Sequence, residues 1–477
     1  MQQLYLIIGS ILACHVSYLF IRRRIRVRSL PPKFWTWDPI MNFDWIIPTV
    51  MDARKQLTYL EKYGDTYRLP KLTNPMTTIV TRNPENVHAI NTGKEWGIEF
   101  RKPGMGEMLG MGFLCADDAE WMRSRKMLRP AFNRPNIDNF EVLEGVADGL
   151  VRKIEEADGK VEMGALLYDA LMHSSMHFIL GIDSTKKNDG RPMDAQTFNK
   201  LWQEGVLGMG IRLLFGRSVS RLLLPSARYT YVCNQLHSFI DFAIERQEKH
   251  LPSDRKTSPM AEIVTPQAKD RADARAQLMQ TMLASQDTTG VLTCNAIQLL
   301  SSRPDIWAQL RAEVSAAGAE LFTWERLRAN PTIQNILSET LRLRPVFPQF
   351  GRLALRDTVL PSGGGPSHDQ PFPIPKGTFA ITSTWGIHLS KEIYGPDADE
   401  WKPERWDSVK PSSKEFAAFG QGPRACLGKD KALAEAAYLL MRLVKRFEGV
   451  GDVTREWKPD STFSMKNSKG YKVAFKI

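Results

Sequence analysis

Apolar residues recur three and four positions apart through several long stretches of the chain. Residues 120–132 ("EWMRSRKMLRPAF"), 139–157 ("NFEVLEGVADGLVRKIEEA"), 272–300, 304–316 and 429–447 share this spacing, and each predicts a helix. Shorter pieces rich in Thr, Val, Ile and Tyr predict strands: "TYRLP" at 66–70, "TTIVT" at 77–81, "RLALRDTVL" at 352–360, "TFAITSTW" at 378–385 and "YKVAFKI" at 471–477. The stretch "LPSGGGPSHDQPFPIPKG" at 360–377, dense in Gly and Pro, predicts a loop between strands. Long helices with short strands near both ends of the chain predict a mainly α fold with a minor β-sheet.

One apolar stretch is different in kind. Residues 4–21, "LYLIIGSILACHVSYLFI", form an 18-residue run without acidic or strongly basic side chains, roughly 27 Å as a helix and close to a bilayer core. The block "RRRIRVR" at 22–28 follows at once. Because basic residues stay on the cytoplasmic side, residues 1–28 predict a single-pass anchor and basic flank with the rest of the chain facing the cytosol. A cleaved signal peptide, which carries its charge before the apolar run, and a buried core helix are the rival readings. No later stretch is apolar enough to span, and there is neither an internal repeat nor a clear linker, so residues 29–477 predict one large domain.

Composition narrows the chemistry. With 477 residues, 43% of them hydrophobic, the chain can bury a large core. The five cysteines, Cys14, Cys115, Cys233, Cys294 and Cys426, are odd in number and lack any CxxC or Cys/His cluster, so they suggest neither a disulfide framework nor a zinc site and fit a reducing compartment. A net charge of +11 favours an acidic partner: a nucleic acid, an anionic membrane or an acidic protein.

Cys426 stands out by its setting, "FAAFGQGPRACLGKD" at 416–430. Gly420, Gly422 and Gly428 permit unusual backbone angles, Pro423 stiffens the loop and Arg424 brings a positive charge. The helix that follows at once should point its positive end at the sulfur and lower its pKa. An anionic sulfur is either a nucleophile or a metal ligand. None of the eight histidines offers a base for a nucleophile, whereas a haem iron needs only the one thiolate.

The pattern F-x-x-G-x-R-x-C-x-G, filled by Phe419, Gly422, Arg424, Cys426 and Gly428, resembles the haem-binding signature of the cytochrome P450 family of haem-thiolate monooxygenases. "ETLR" at 339–342 resembles its E-x-x-R, "PERW" at 403–406 its P-E-R, "ASQDTT" at 284–289 its oxygen-binding helix motif and "WMRSR" at 121–125 its W-x-x-x-R. The resemblance covers essentially the whole chain. It implies a P450-like fold, haem b held by Cys426 as metal ligand, and Glu339, Arg342 and Arg405 as a buried network under the cofactor. It also implies that Trp121, Arg125, Arg352 and Arg424 neutralise the two haem carboxylates, a task suited to a planar guanidinium, and that Phe419 lies against the cofactor. Asp287 and Thr288 would supply the protons that the reduction of O2 consumes. Read locally, each element also has a plainer meaning: a surface ion pair for Glu339 and Arg342, a solvated helix face for Trp121 and Arg125, and a threonine bonded back to its own helix for Thr288. Ser285 stands where the family usually has glycine.

The long GGG-containing loop and "IYGPDADEWKPERW" resemble the fungal branch that hydroxylates alkanes and fatty acids, although Arg344 replaces a common aromatic and Leu389 a usual arginine. Val346, Phe347 and Phe350 fall on the turn that faces the substrate in the family. The expected activity is therefore insertion of one oxygen atom into an unactivated C–H bond of a lipophilic small molecule, at or near the end of an aliphatic chain. Electrons would come from NADPH through a separate NADPH-cytochrome reductase, with the chain at the endoplasmic reticulum membrane and no nucleic acid involved. Arg123, Lys126, Arg129, Lys429 and Lys431 would form the positive patch on which an acidic reductase docks. The alternatives are a tailoring hydroxylase for a polyketide, terpenoid or hybrid natural product and, from another class, a haem-binding sensor or carrier.

Overall fold

The computed structural model describes residues 30–477 apart from positions 39, 41, 71–76, 139, 187–189, 224, 250–258 and 462. Thirteen helices carry the description that follows: α1 (Phe43–Met51), α2 (Arg54–Tyr63), α3 (Pro84–Thr92), α4 (Lys102–Leu109), α5 (Asp118–Leu128), α6 (Glu141–Glu156), α7 (Met163–Ser175), α8 (Ala195–Leu223), α9 (Ser226–Lys249), α10 (Arg271–Leu300), α11 (Pro304–Ala317), α12 (Pro331–Leu343) and α13 (Lys429–Arg446). The predicted helices match α5, α6, α10, α11 and α13 within a few residues. The stretch 120–132 ends earlier than expected, because Pro130 turns residues Arg129–Phe132 into a 3-10 segment.

α10 forms the axis of the molecule. It is buried on nearly every side, through polar residues such as Gln277, Gln280, Thr293 and Asn295 as well as apolar ones, and Asp270 caps its start by accepting from Asp273 N at 2.8 Å. On one flank α6, α7, α11, α12 and α13 pack a core around Leu150, Ile297, Trp307, Leu337 and Leu440. On the other, α4, α8 and α9 build a second core around Met108, Trp202, Phe239 and Leu278. α8 is broken at Gly216, whose φ of 71° is outside the helical range. α12 begins with Pro331 behind the Asn330 cap, whose side chain accepts from Ile333 N at 2.9 Å.

Strands β1 (Thr66–Leu69), β2 (Thr78–Thr81), β3 (Trp96–Gly97), β5 (Gln349–Ala354) and β8 (Phe379–Ser383) form a five-stranded sheet in the order β1-β2-β8-β5-β3, drawn from both ends of the chain. β4 (Lys160–Glu162) and β9 (Gly449–Asp452) flank β12 (Lys472–Lys476) in a second sheet, and β10 (Pro459–Asp460) pairs with β11 (Lys466–Asn467) in a small hairpin.

Three expectations change. Residues 360–377 are largely not a loop: β6 (Thr358–Gly364) and β7 (Gln370–Ile374) pair as a hairpin. Pro371 and Pro373, which lack an N–H, are tolerated because β7 has a partner on one side alone, while Phe372 and Ile374 are buried. The stretch 352–360 divides between β5 and β6. The stretch 378–385 ends in a short helix, Thr384–His388, started by Ser383, whose side chain accepts from Gly386 N at 3.2 Å. The predicted anchor, 1–28, lies outside the described residues; among those described, no helix is long and apolar enough to cross a membrane.

Candidate active site

The cysteine loop closes through one backbone bond, from Cys426 N to Phe419 O at 2.8 Å. Gly422, at φ +65°, makes the turn in a conformation that L side chains resist, and a Cβ there would lie 2.7 Å from the Thr92 methyl at the end of α3. Gly428 stands at the N-cap of α13, beside the Cys426 sulfur. Cys426 keeps solvent-accessible surface although protein atoms surround it on almost every side. The expected lowering of its pKa is corrected: burial is the largest influence and pushes the thiol up, against the Gly428 N–H, Arg125 and Lys429. A metal cation at the sulfur would reverse that balance.

Beside the loop the structure gathers guanidinium groups. Arg424 lies 4.4 Å and Arg125 5.7 Å from the Trp121 ring centre, and Arg125 donates to Ala425 O at 2.9 Å. Burial, followed by repulsion from Arg101 and Arg424, holds Arg352 well below the usual arginine range. Arg101 and Arg424 are also lowered, chiefly by burial. The carboxylate that answers this cluster is Asp117, 2.5 Å from Arg424, and it already accepts from the backbone of Ile98 and Glu99. A cluster of crowded, desolvated cations that outnumber their carboxylates fits a dianionic edge such as the two propionates of haem. Arg101 was missed in the sequence, where it sits in an unpatterned loop, "EFRKP".

In the middle of α10 the burial is interrupted. Ala284 is exposed and Ser285, Asp287 and Thr288 are half-buried, between turns that are buried. This gap suits a helix that borders a cofactor. Thr288 donates to Ala284 O at 2.8 Å, the back-bonded geometry of its plainer reading. Asp287 turns to the β10–β11 hairpin, where Ser464 donates to it at 2.5 Å and Lys466 forms an ion pair with it. Ser285 is hydrogen-bonded to Ser175 at 3.1 Å, so the hydroxyl that departs from the family pattern is held by α7.

The Glu339 network is present as expected. Glu339 and Arg342 side chains have no exposed surface. Arg342 gives Nε and Nη2 to the Glu339 carboxylate, both at 2.8 Å, and its remaining donors to the carbonyls of His388, Ala398 and Glu400. Glu339 also accepts from Lys402 N at 2.9 Å, Trp406 Nε1 at 3.0 Å and Arg405 Nε at 3.4 Å. Arg405 is completed by Asp397 at 2.6 Å.

The Cytochrome P450 family profile matches residues 32–475. The chain belongs to the cytochrome P450 family. Among its relatives, the cytochrome P450 monooxygenase FPY7 of Fusarium mangiferae is 29% identical over 92% of this chain and 88% of its own length. The cytochrome P450 monooxygenase alt2 of Alternaria solani is 31% identical, covering 83% and 81% of the two chains. Cytochrome P450 52-N1 of Starmerella bombicola is 31% identical, covering 78% and 77%. The chain is thus a P450 monooxygenase of mainly helical fold with small sheets, and the reading as a haem sensor or carrier falls away.

As a P450, the chain explains its own departures. Arg344 lies over the Trp457 ring at 4.0 Å and donates to Gln298 at 2.7 Å, so a stacked guanidinium fills the aromatic's place. Leu389 packs with Ala53, Trp385 and Met465. The proposed docking patch loses two members. Lys431 is buried and 2.6 Å from Glu435, and Arg123 is paired with Asp273 at 2.8 Å. Lys126, Arg129 and Lys429 remain exposed.

Proposed function

We propose that this P450 hydroxylates an aliphatic chain at or near its end, with Cys426 as axial ligand and Arg101, Arg125, Arg352 and Arg424 receiving the haem carboxylates beside Trp121 and Phe419. Bound there, haem supplies the oxidising chemistry: O2, two electrons and two protons become one oxygen atom inserted into a C–H bond and one water. The chain's own residues position the substrate and move protons, with Asp287 and Thr288 on the proton route. The observation that carries the substrate reading is an aromatic wall. Phe347 lies 6.0 Å from Phe350 and 5.8 Å, edge-on, from Phe463, a surface that can pack along methylenes but offers no hydrogen bond.

Membrane attachment and an NADPH-fed reductase are part of the same proposal. Trp35 and Trp37 are about 70% exposed, with Ile40, Ile47 and Met51 exposed near them in sequence. Phe43 of α1 meets Phe215 beside the α8 break at 6.2 Å. A cluster of exposed apolar side chains directly after the predicted anchor suits a lipid surface. The second reading is a tailoring hydroxylase acting on a natural product; Arg344 and Leu389 depart from the pattern of the alkane and fatty-acid branch.

The test is product analysis by mass spectrometry after feeding fatty acids and alkanes of graded length, with reductase and NADPH. Each buried methylene should add roughly 0.8 kcal/mol of binding until the pocket is full, and terminal or near-terminal alcohols should dominate. Oxidation confined to ring systems, with no binding of long chains, would replace this reading with the tailoring one.

A further inference from the structure

Four consecutive residues near the C-terminus join two parts of the site that lie far apart in sequence. Phe463 stands against Phe347 at 5.8 Å. Ser464, 1% exposed, donates to one Asp287 oxygen at 2.5 Å, and Lys466 holds the other. Between them, Met465 N donates to Val346 O at 2.7 Å. The hairpin that carries them is tied to the opposite end of the chain by Ala53 N to Pro459 O and Ser461 N to Val50 O, both at 3.1 Å. The segment therefore cannot shift at Phe463 without moving the donors on Asp287.

We propose that Ser464 and Lys466 are positioning residues for Asp287, and that residues 463–466 couple occupancy of the substrate pocket to that carboxylate. The proposal rests on the reading above, in which Phe347 and Phe463 wall the pocket and Asp287 lies on the proton route. The Lys466 side chain is 42% exposed, so its pairing alone would be weak. The buried hydroxyl of Ser464 on a charged acceptor is the stronger tie. Together they fix the carboxylate's direction, and through Met465 they hold Phe463 in place against the chain.

The probe is 1-dodecylimidazole, whose ring nitrogen binds haem iron while its alkyl tail fills the pocket; the shift of the Soret band reads its affinity for the holoenzyme. Lys466→Met and Ser464→Ala should each weaken binding about threefold or more when Asp287 is present, and hardly at all beside Asp287→Asn. Lys466→Arg should restore the wild-type value, which a general packing role for the lysine stem would not require. Haem content and the unfolding midpoint establish that each variant is folded. Ser464→Ala removes only a hydroxyl and runs the same cycle if Lys466→Met does not fold. Equal weakening in both Asp287 backgrounds, or none in either, would overturn the proposal. Failure of the probe to bind at all would overturn the pocket reading and this coupling with it. Unchanged product per NADPH in Asp287→Asn would remove only the proton route, because the binding cycle still decides whether Ser464 and Lys466 act through that carboxylate.

Discussion

His388 should make this protein acid-sensitive in a definable window. The residue is fully buried at the end of the short helix Thr384–His388, its ring 5.0 Å from Phe416 and its Nε2 accepting from Ala417 N at 3.1 Å. That acceptor role places the proton on Nδ1. Burial, helped by the neighbouring Arg342 guanidinium, pushes its pKa down from 6.5 to about 3. Between those values the unfolded chain binds a proton that the folded chain refuses. The contribution is complete above pH 6.5, erodes as pH falls and is lost below about 3. Roughly 3.5 pH units at about 1.4 kcal/mol each give about 5 kcal/mol, a large part of the 5–15 kcal/mol that holds a typical domain together. The assay is urea unfolding of wild type and His388→Gln from neutral pH to about pH 4. Glutamine keeps an acceptor for Ala417 N and cannot titrate, so the two stability curves should converge as pH falls. Carboxylates titrate alike in both and cancel. Curves that stay parallel over the whole range would refute the buried neutral imidazole.

Replacing Cys426 with serine should abolish the red-shifted Soret band of the reduced carbon monoxide complex, while Cys115, Cys233 and Cys294 should each be dispensable for it; a band that survives in Cys426→Ser would reassign the ligand. Glu339→Gln leaves the buried Arg342 without its anion and should cost about 3–5 kcal/mol in urea unfolding; a loss under about 1 kcal/mol would be that of a surface pair. Arg101→Ala should release haem several-fold faster to a scavenging apoprotein without lowering the unfolding midpoint of the apoprotein, and an unchanged release rate would remove Arg101 from the propionate cluster. Charge reversal at Lys126 and Arg129 should slow reduction by the reductase and flatten its salt dependence, because exposed charges are screened beyond about 8 Å at physiological ionic strength; an unaltered rate and salt slope would place the docking surface elsewhere.

What the sequence revealed followed how local each signal was. The cysteine loop depends on glycines within a few residues of Cys426, and Glu339 lies one helical turn from Arg342, so their pattern is visible in a short window. Asp287 meets partners 177 and 179 residues away, and nothing in "ASQDTT" announces them. Arg101 gains meaning only when folding brings it beside Arg352 and Arg424. Two signals were present and misread. Lys431 shares a helix face with Ala434, Glu435 and Tyr438, all buried, and that phase marks it as inward. Phe372 and Ile374 alternate with Pro371 and Pro373, the period of an edge strand rather than of a loop.

The two charged clusters around the cysteine loop differ in a way that bears on folding. Glu339, Arg342, Arg405 and Asp397 form a neutral set, two anions with two cations, whose donors and acceptors are met within the chain. Arg101, Arg352 and Arg424 gather around Asp117, with Asp118 adding a weaker pull on Arg424, and the arginines repel one another where burial has already weakened their solvation. The first cluster is stable as the polypeptide makes it and can form before any cofactor arrives. The second is costly until a further anion joins it. A dianionic cofactor edge therefore binds where the folded chain is electrostatically strained, and the relief of that strain adds to the cofactor's affinity. Whatever binds the folded chain and not the unfolded one stabilises it, so with haem held as proposed, the stability of this P450 would be tied to haem loading through its arginines as well as through Cys426.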